Sequence, residues 1–271
     1  MNRTDLIEEQ RQSITENISG IRQKRRECGC CEVVETIVES PNAALRLNRK
    51  MGRYITLTFP PLGSILDTSS IFTALKFSLK ELLPTPIENV LVVGLGNTDI
   101  TPDALGPFCA NRIFATRHLK KEIRESLGLK GLKNVSVLIP GVLGKTGIEA
   151  SKTVAAVVDF TKSDAVIAID ALAAADIKRV CTTLQLSNTG ISPGSGVENK
   201  RKELSCDTLG VPVIAIGMPT VIDAFFQNEN SFMMTPKDID LNLRLASNLI
   251  SDALNSFLQP DIDEEILKSL S

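Results

Sequence analysis

The stretch Val90-Leu91-Val92-Val93-Gly94-Leu95-Gly96-Asn97-Thr98-Asp99-Ile100-Thr101-Pro102-Asp103 decides the fold. Its first half is a continuous apolar run, the pattern of a strand buried on both faces. Its second half is a loop of small and polar residues. Helical periodicity follows over about 104–125. The same grammar then repeats. A strand at Val135-Ser136-Val137-Leu138-Ile139-Pro140 precedes a helix near 147–161, and a strand at Ala165-Val166-Ile167-Ala168-Ile169-Asp170 follows it. A last apolar run is Val211-Pro212-Val213-Ile214-Ala215-Ile216. Buried strands alternating with helices imply an α/β fold. Its twisted, largely parallel sheet has helices on both faces, a three-layer αβα architecture.

The flanks read differently. Residues 31–39 partly alternate and Arg53-Tyr54-Ile55-Thr56-Leu57-Thr58-Phe59 alternates cleanly before Pro60-Pro61, so a small additional N-terminal β segment is expected. A helix is expected over about 68–82, and residues 179–186 can add a further strand. Thr235 as N-cap and Pro236 in the first turn predict a C-terminal helix over about 236–258. Residues 1–30 are highly charged and read as a mobile or helical arm, with 31–271 as a single α/β domain.

The chain has 271 residues, with 30 Lys and Arg against 32 Asp and Glu, a net charge of −2. Without a basic excess, neither direct nucleic-acid binding nor membrane-surface binding is expected. No apolar run is long enough to span a bilayer, and no signal-peptide core follows the polar start. The protein is therefore expected to stay in the compartment where it is made, with its six cysteines reduced. Cys28, Cys30 and Cys31 cluster, but no histidine or second cysteine pair stands nearby at zinc-ligand spacing. Their role stays open.

Sites in open α/β sheets form beyond the carboxyl ends of the strands. Three loops lie there, at 94–103, 141–149 and 170–174. Gly94-Leu95-Gly96 starts like a dinucleotide fingerprint, but Asp99 stands where the third glycine belongs, and a carboxylate there repels a pyrophosphate. These glycines read instead as a sharp turn with close packing. Gly144-Lys145-Thr146 ends like a phosphate loop, but Ile139 occupies the place of the required earlier glycine. His118 is the only histidine, which excludes zinc motifs built on two, and it reads as a packing or surface residue inside a helix. Ser195, in Pro193-Gly194-Ser195-Gly196, lacks the preceding strand of a nucleophile elbow.

Two aspartates stand out by placement. Asp103 precedes a helix, and alone it reads as a cap. Asp170 ends a buried strand, where an ionised carboxylate is costly unless paired or ligated. Two carboxylates at one sheet edge split their protonation, one serving as base and the other keeping a proton as acid. Such a pair can activate a water and protonate a leaving amine, or it can hold a metal ion.

Taken together, several stretches closely resemble the spore germination protease family. They are Gly94-Leu95-Gly96-Asn97, Thr101-Pro102-Asp103-Ala104-Leu105-Gly106-Pro107, Thr116-Arg117-His118-Leu119, Pro140 through Glu149, Ala168 through Ala174, Gly190 through Val197, Asn199 through Glu203, and Ile214 through Ala224. The resemblance implies a fold similar to that of hydrogenase-maturation proteases. It implies an endopeptidase, made as an inactive precursor and assembled as a homotetramer. Its substrates would be the small acid-soluble proteins that coat DNA in the cytoplasm of the forespore and spore core. The family's aspartic-type catalytic residues fall on Asp103 and Asp170, and no cofactor or metal is assigned. Arg3-Thr4-Asp5-Leu6 resembles the family's self-processing site, cut between Asp5 and Leu6. An acidic residue before the cut calls for a cationic pocket, for which Lys200, Arg201 and Lys202 are the candidates. This sequence has little before Asp5 and a short stretch between Ala224 and Met234, so a long prosegment and a lid from that region are not expected. A metal-assisted peptidase using the same carboxylates and a nonenzymatic binder of spore proteins are the competing readings.

Overall fold

The apolar runs become the strands of one sheet. The structure, a computed structural model, describes residues 4–14, 18–83, 86–126, 129, 131–192, 202–225 and 231–270. In chain order its elements are α1 (Ile7–Gln12), β1 (Ile21–Cys28), β2 (Cys31–Val38), α2 (Pro41–Leu47), β3 (Gly52–Thr58), α3 (Ser69–Leu82), β4 (Asn89–Gly94), α4 (Leu105–Ala110) and α5 (Lys121–Ser126). Then come β5 (Asn134–Leu138), α6 (Leu143–Thr146), α7 (Ala150–Thr161), β6 (Ala165–Ala174), β7 (Thr183–Ser187), α8 (Cys206–Leu209), β8 (Val213–Phe225), β9 (Ser231–Met234), α9 (Ile239–Leu258) and α10 (Glu264–Leu270).

The sheet runs β1-β2-β3-β7-β8-β6-β4-β5, with β9 on β8. The expected parallel sheet is the β5-β4-β6-β8 block. The expected N-terminal β segment is the β1-β2-β3 meander, which joins that block through antiparallel β7. Strand alternation sorts the core into two faces. Val90, Val92, Ile167 and Ile169 pack with Leu75 and Leu79 of α3, Leu105 of α4 and Leu243, Ile250 and Leu254 of α9. Leu91, Val93, Val166 and Ala168 face the other way, onto Val154 and Val158 of α7. On that second face Val38 and Tyr54 meet Ile7 of α1 and Ala43 and Leu47 of α2. Apolar residues are therefore needed at successive positions of β4 and β6, which is why their runs do not alternate.

Four expectations change, each through a tertiary contact. The helix read over 104–125 ends at Ala110. Beyond it, Asn255 of α9 accepts from the Phe114 N–H (2.9 Å) and donates to the Arg112 carbonyl (2.9 Å), and the N–H groups of Thr116 and Arg117 go to the Val135 carbonyl. Those backbone groups are satisfied across the fold instead of along a helix. Thr235 does not cap α9. Its hydroxyl donates to the Thr220 carbonyl (2.8 Å), and Asp238 holds the N-cap position. β6 does not stop at Asp170, because β8 continues beside it from Asp170↔Gly217 to Ala174↔Ile222.

The charged start, read as a mobile or helical arm, holds α1 and the eight-residue strand β1. Leu6 and Ile7 are both 0% exposed. Burying one such side chain contributes about 1.5–3 kcal/mol. Glu8 is buried as well, accepting from Gln23 Nε2 (2.8 Å) and Thr36 Oγ1 (3.0 Å).

Asp164 anchors the entry to β4, accepting from the backbone N–H groups of Glu88 (2.9 Å) and Asn89 (2.7 Å). The Asn89 N–H and then the Glu88 N–H hold its carboxyl below the usual carboxylate range. A depressed folded-state pKa gives stability that is present above the unfolded value and lost as pH falls through the folded one. Asp164→Asn should therefore flatten the acid limb of the stability curve, below about pH 4. Urea midpoints measured across that range check this, and an unchanged limb counts against it.

The cysteines are free. Cys28 and Cys31 face each other across the turn at Gly29-Cys30, and the Cys28 thiol donates to the Ser70 carbonyl (3.3 Å). Burial, then Cys28 and Cys30, push the Cys31 thiol up to about 12. Burial also raises Cys109 and Cys181. Alkylation of the native protein at neutral pH should mark the exposed Cys30 and Cys206 and spare Cys31, Cys109 and Cys181. Peptide mass mapping checks this, and labelling of Cys109 as fast as Cys30 would refute the packing described.

Candidate active site

Asp170 sits on the α7 side of β6, in line with Val166 and Ala168. It is 4% exposed, and its Oδ1 accepts from the Ala171 N–H (2.9 Å). β4 ends at Gly94, whose partner on β6 is Ile169. Asp170 is thus the first β6 residue past the end of its neighbour. On the other side it pairs with Gly217 of β8, which in turn pairs with Gln185 of β7. Paired residues point to the same face, so Asp170, Gly217 and Gln185 form one rung on that face.

The loop after β4 carries Asp103 back to this edge. The Leu95 N–H donates to the Ile169 carbonyl (2.8 Å), and the Asn97 N–H donates to the Asp103 carbonyl (3.1 Å). Three residues therefore link the position before Asp170 with Asp103. The 3-10 turn Thr101–Asp103 lies with Cα atoms within 8 Å of both β6 and β8. Asp103 is half-buried, and Ala104 holds the N-cap position of α4.

Two glycines allow the approach. Gly96 has φ +121°, and a Cβ there would lie 1.9 Å from the Asp103 carbonyl oxygen. A Cβ on Gly106 would lie 2.2 Å from the Leu95 oxygen and 2.4 Å from the Ile169 oxygen. Close packing is the use these glycine positions have in the fold. Lys145 forms an exposed ion pair with Asp99, joining the 141–149 loop to the 94–103 loop. His118 lies exposed on a turn, not in a helix. Ser195 lies outside the described residues. Among the described residues no group of three or more His, Cys, Asp or Glu side chains is placed to hold a metal ion.

A cleft of about 640 Å³ opens on the same face, lined by Asp5, Arg49, Tyr54, Leu172, Gln185 and Gly217 among others. Asp5 is docked along one side of it. The Asp5 N–H donates to the Ala173 carbonyl (2.9 Å), and the Ala173 N–H donates to Asp5 Oδ2 (2.9 Å). Glu9 accepts from the N–H groups of Ala175 and Asp176 (both 2.8 Å). The Asp5-Leu6 junction is thereby docked on β6 three residues beyond Asp170.

Lys200, Arg201 and Lys202 are the cations the sequence offers for the acidic side chain. Lys202 is exposed, while Lys200 and Arg201 lie outside the described residues. Among the described residues Arg49 lines the cleft together with Asp5, and its Nη2 donates to the Thr4 carbonyl (2.9 Å). Burial lowers its pKa, and Asp5, then Tyr54, oppose that shift. Gln185 and Arg49 were both missed from sequence. The alternation Thr183-Leu184-Gln185-Leu186-Ser187 was a usable signal for the first, since it sets Gln185 on the face opposite the two leucines. Arg49, between Asn48 and Lys50 on a polar connection, carried none.

The germination protease family profile matches residues 1–231. The chain belongs to the germination protease family. It is thus a peptidase by family. It is 37% identical to a germination protease of Clostridium tetani over 98% of both chains. It is 45% identical to that of Bacillus subtilis over 82% of this chain and 63% of the relative. With the Halalkalibacterium halodurans germination protease it shares 48% identity over 70% of this chain and 53% of that one. The chain therefore spans a little under two thirds of the Bacillus relative's length and nearly all of the Clostridium relative's. Among solved structures, a [NiFe] hydrogenase maturation protease HycI of Thermococcus kodakarensis aligns with a TM-score of 0.39 at 17% identity, over 65% of this chain and 98% of that one.

Among the described residues no helix is long and apolar enough to cross a membrane.

Proposed function

We propose that this chain is an endopeptidase that starts the degradation of small acid-soluble spore proteins during germination, cutting after an acidic residue. Asp103 and Asp170 are its acid–base pair. The observation that carries this reading is the Leu95-Gly96-Asn97 bridge, hydrogen-bonded to Ile169 at one end and to Asp103 at the other. One carboxylate takes a proton from a water as it adds to the peptide carbonyl, and the other gives its proton to the leaving amide nitrogen. Burial of Asp170 favours sharing of one proton between the two, since two ionised carboxylates at a dry edge repel.

The reading extends to self-processing at Asp5–Leu6, supported by the docking of Asp5 on Ala173. It also extends to a precursor form, a homotetramer and a site of action in the forespore and spore core, on proteins rather than on nucleic acid or membrane. What supports these extensions is the resemblance of the sequence stretches to the germination protease family.

The test is to incubate the purified chain with a small acid-soluble spore protein and to sequence the fragments. New N-termini should follow an acidic residue, as Leu6 follows Asp5. Cuts after apolar or basic residues would refute the specificity, and intact substrate would refute the activity. Cleavage should persist after exhaustive chelation. A loss restored by one divalent cation would replace the direct acid–base route with a metal-assisted one.

A further inference from the structure

Asp5, Leu6 and Ile7 are held by more than β6. Gln185 grips the backbone on both sides of the Asp5–Leu6 bond. Its Nε2 donates to the Asp5 carbonyl (2.9 Å), and its Oε1 accepts from the Ile7 N–H (2.7 Å). An amide side chain that offers a donor and an acceptor matches the edge of an extended strand, and it does so for any sequence. Gln185 lies on the rung of Asp170, with only the bare Gly217 between them. The Asp5 carboxylate meanwhile takes the Ala173 N–H, and Arg49, which also holds the Thr4 carbonyl, faces it in the cleft.

We propose that Gln185 and Arg49 form the subsite that registers the bond to be cut: Gln185 donates to the carbonyl of that bond, and Arg49 with the Ala173 N–H receives the acidic side chain before it. The proposal rests on the reading that Asp5–Leu6 is cleaved. In that hydrolysis water adds to the Asp5 carbonyl carbon, the C–N bond breaks, and a carboxyl group on Asp5 and an amine on Leu6 result. Negative charge gathers on the Asp5 carbonyl oxygen as water adds. The Gln185 N–H already points at that oxygen and stabilises it there. Arg49 makes the choice of side chain, because a guanidinium held in a cleft rewards a carboxylate and leaves a neutral amide without its charge partner.

Two readouts on the full chain test this. The first is hydrogen exchange over residues 5–9, which reports docking whether or not the bond is cut. Gln185→Leu should expose the Ile7 amide to exchange, while Gln185→Glu, which keeps the acceptor, should protect it. Unchanged protection in Gln185→Leu would overturn the role of Gln185. The second is the first-order rate of self-cleavage, followed by intact mass. Gln185→Leu should slow it by about 10²–10³-fold. The wild type should cut its own chain faster with Asp5 than with Asp5→Asn by about tenfold or more, the size of one hydrogen bond to a charged group. In Arg49→Met that ratio should fall to near one, with partial recovery in Arg49→Lys. A ratio unchanged by Arg49→Met would overturn the specificity role, even if the overall rate fell. A wild-type chain that never cuts this bond would refute the self-processing reading, and the exchange result alone would then decide the subsite.

Discussion

Replacing Asp170 by asparagine should lower peptide-bond cleavage by about 10²–10⁴-fold while leaving the fold in place. The same result is expected for Asp103→Asn. Asparagine matches aspartate in shape, and at 170 it keeps an oxygen able to accept the Ala171 N–H, which Oδ1 does in the native chain. What it lacks is the capacity to take a proton from water or to deliver one. The loss should therefore fall on turnover, with the thermal midpoint close to that of the wild type. Initial rates on a small acid-soluble spore protein, together with circular dichroism melts, check both halves. Near-wild-type cleavage by either variant would remove that aspartate from the chemistry. A pair sharing one proton also predicts a bell-shaped pH profile, because activity falls when both carboxyls are ionised and when neither is. Each single variant should lose one limb of the bell.

A methyl group at position 106 should be the most damaging small change in the site's framework. In Gly106→Ala the new Cβ would lie 2.2 Å from the Leu95 oxygen and 2.4 Å from the Ile169 oxygen, both backbone atoms. No rotamer change relieves such an overlap. Either α4 moves away from β6 or the Leu95-Gly96-Asn97 bridge breaks, and either shift separates Asp103 from Asp170. Overpacking of this kind costs about 1–3 kcal/mol and more where the neighbours cannot yield, so about 3 kcal/mol or above is expected, with cleavage lost in the fraction that still folds. The control is Gly144→Ala in α6, where nothing lies within 4 Å of the added methyl. There the change should be neutral or stabilising by up to about 1 kcal/mol, since alanine favours a helix. Urea unfolding of the two variants measures both. Equal stabilities would sink the packing argument.

The difference between these two glycines shows how far the sequence could be read. Gly96 and Gly144 each stood in a stretch that half-matched a phosphate motif. The missing partners, Asp99 and Ile139, were enough to dismiss both matches. Only the tertiary structure shows that Gly96 and Gly106 are contact points and Gly144 is not. The same limit applied at 104–125, where apolar periodicity suggested one helix, because nothing local reports that Asn255, more than a hundred residues on, takes the backbone of 112–114. Helix α3 at Ser69–Leu82 was legible because its amphipathic stripe and its stop before Pro84 are local signals.

The buried strands β4, β6 and β8 and the helices α3, α7 and α9 were legible in the sequence alone, because burial on one or two faces is written residue by residue as periodicity or as an unbroken apolar run. The sequence also singled out Asp170, since a carboxylate among Ala168, Ile169 and Ala171 has no reason to be there except chemistry or pairing. Only the tertiary structure decided what surrounds it. The return of Asp103 depends on two backbone hydrogen bonds and on carbonyls that glycine alone can approach. The seating of Asp5 against Ala173, Gln185 and Arg49 joins segments separated by as many as 180 residues along the chain. Alternation can place Gln185 on a face of its strand, but nothing local reports which distant segment meets it there, because that contact depends on the packing of the whole chain.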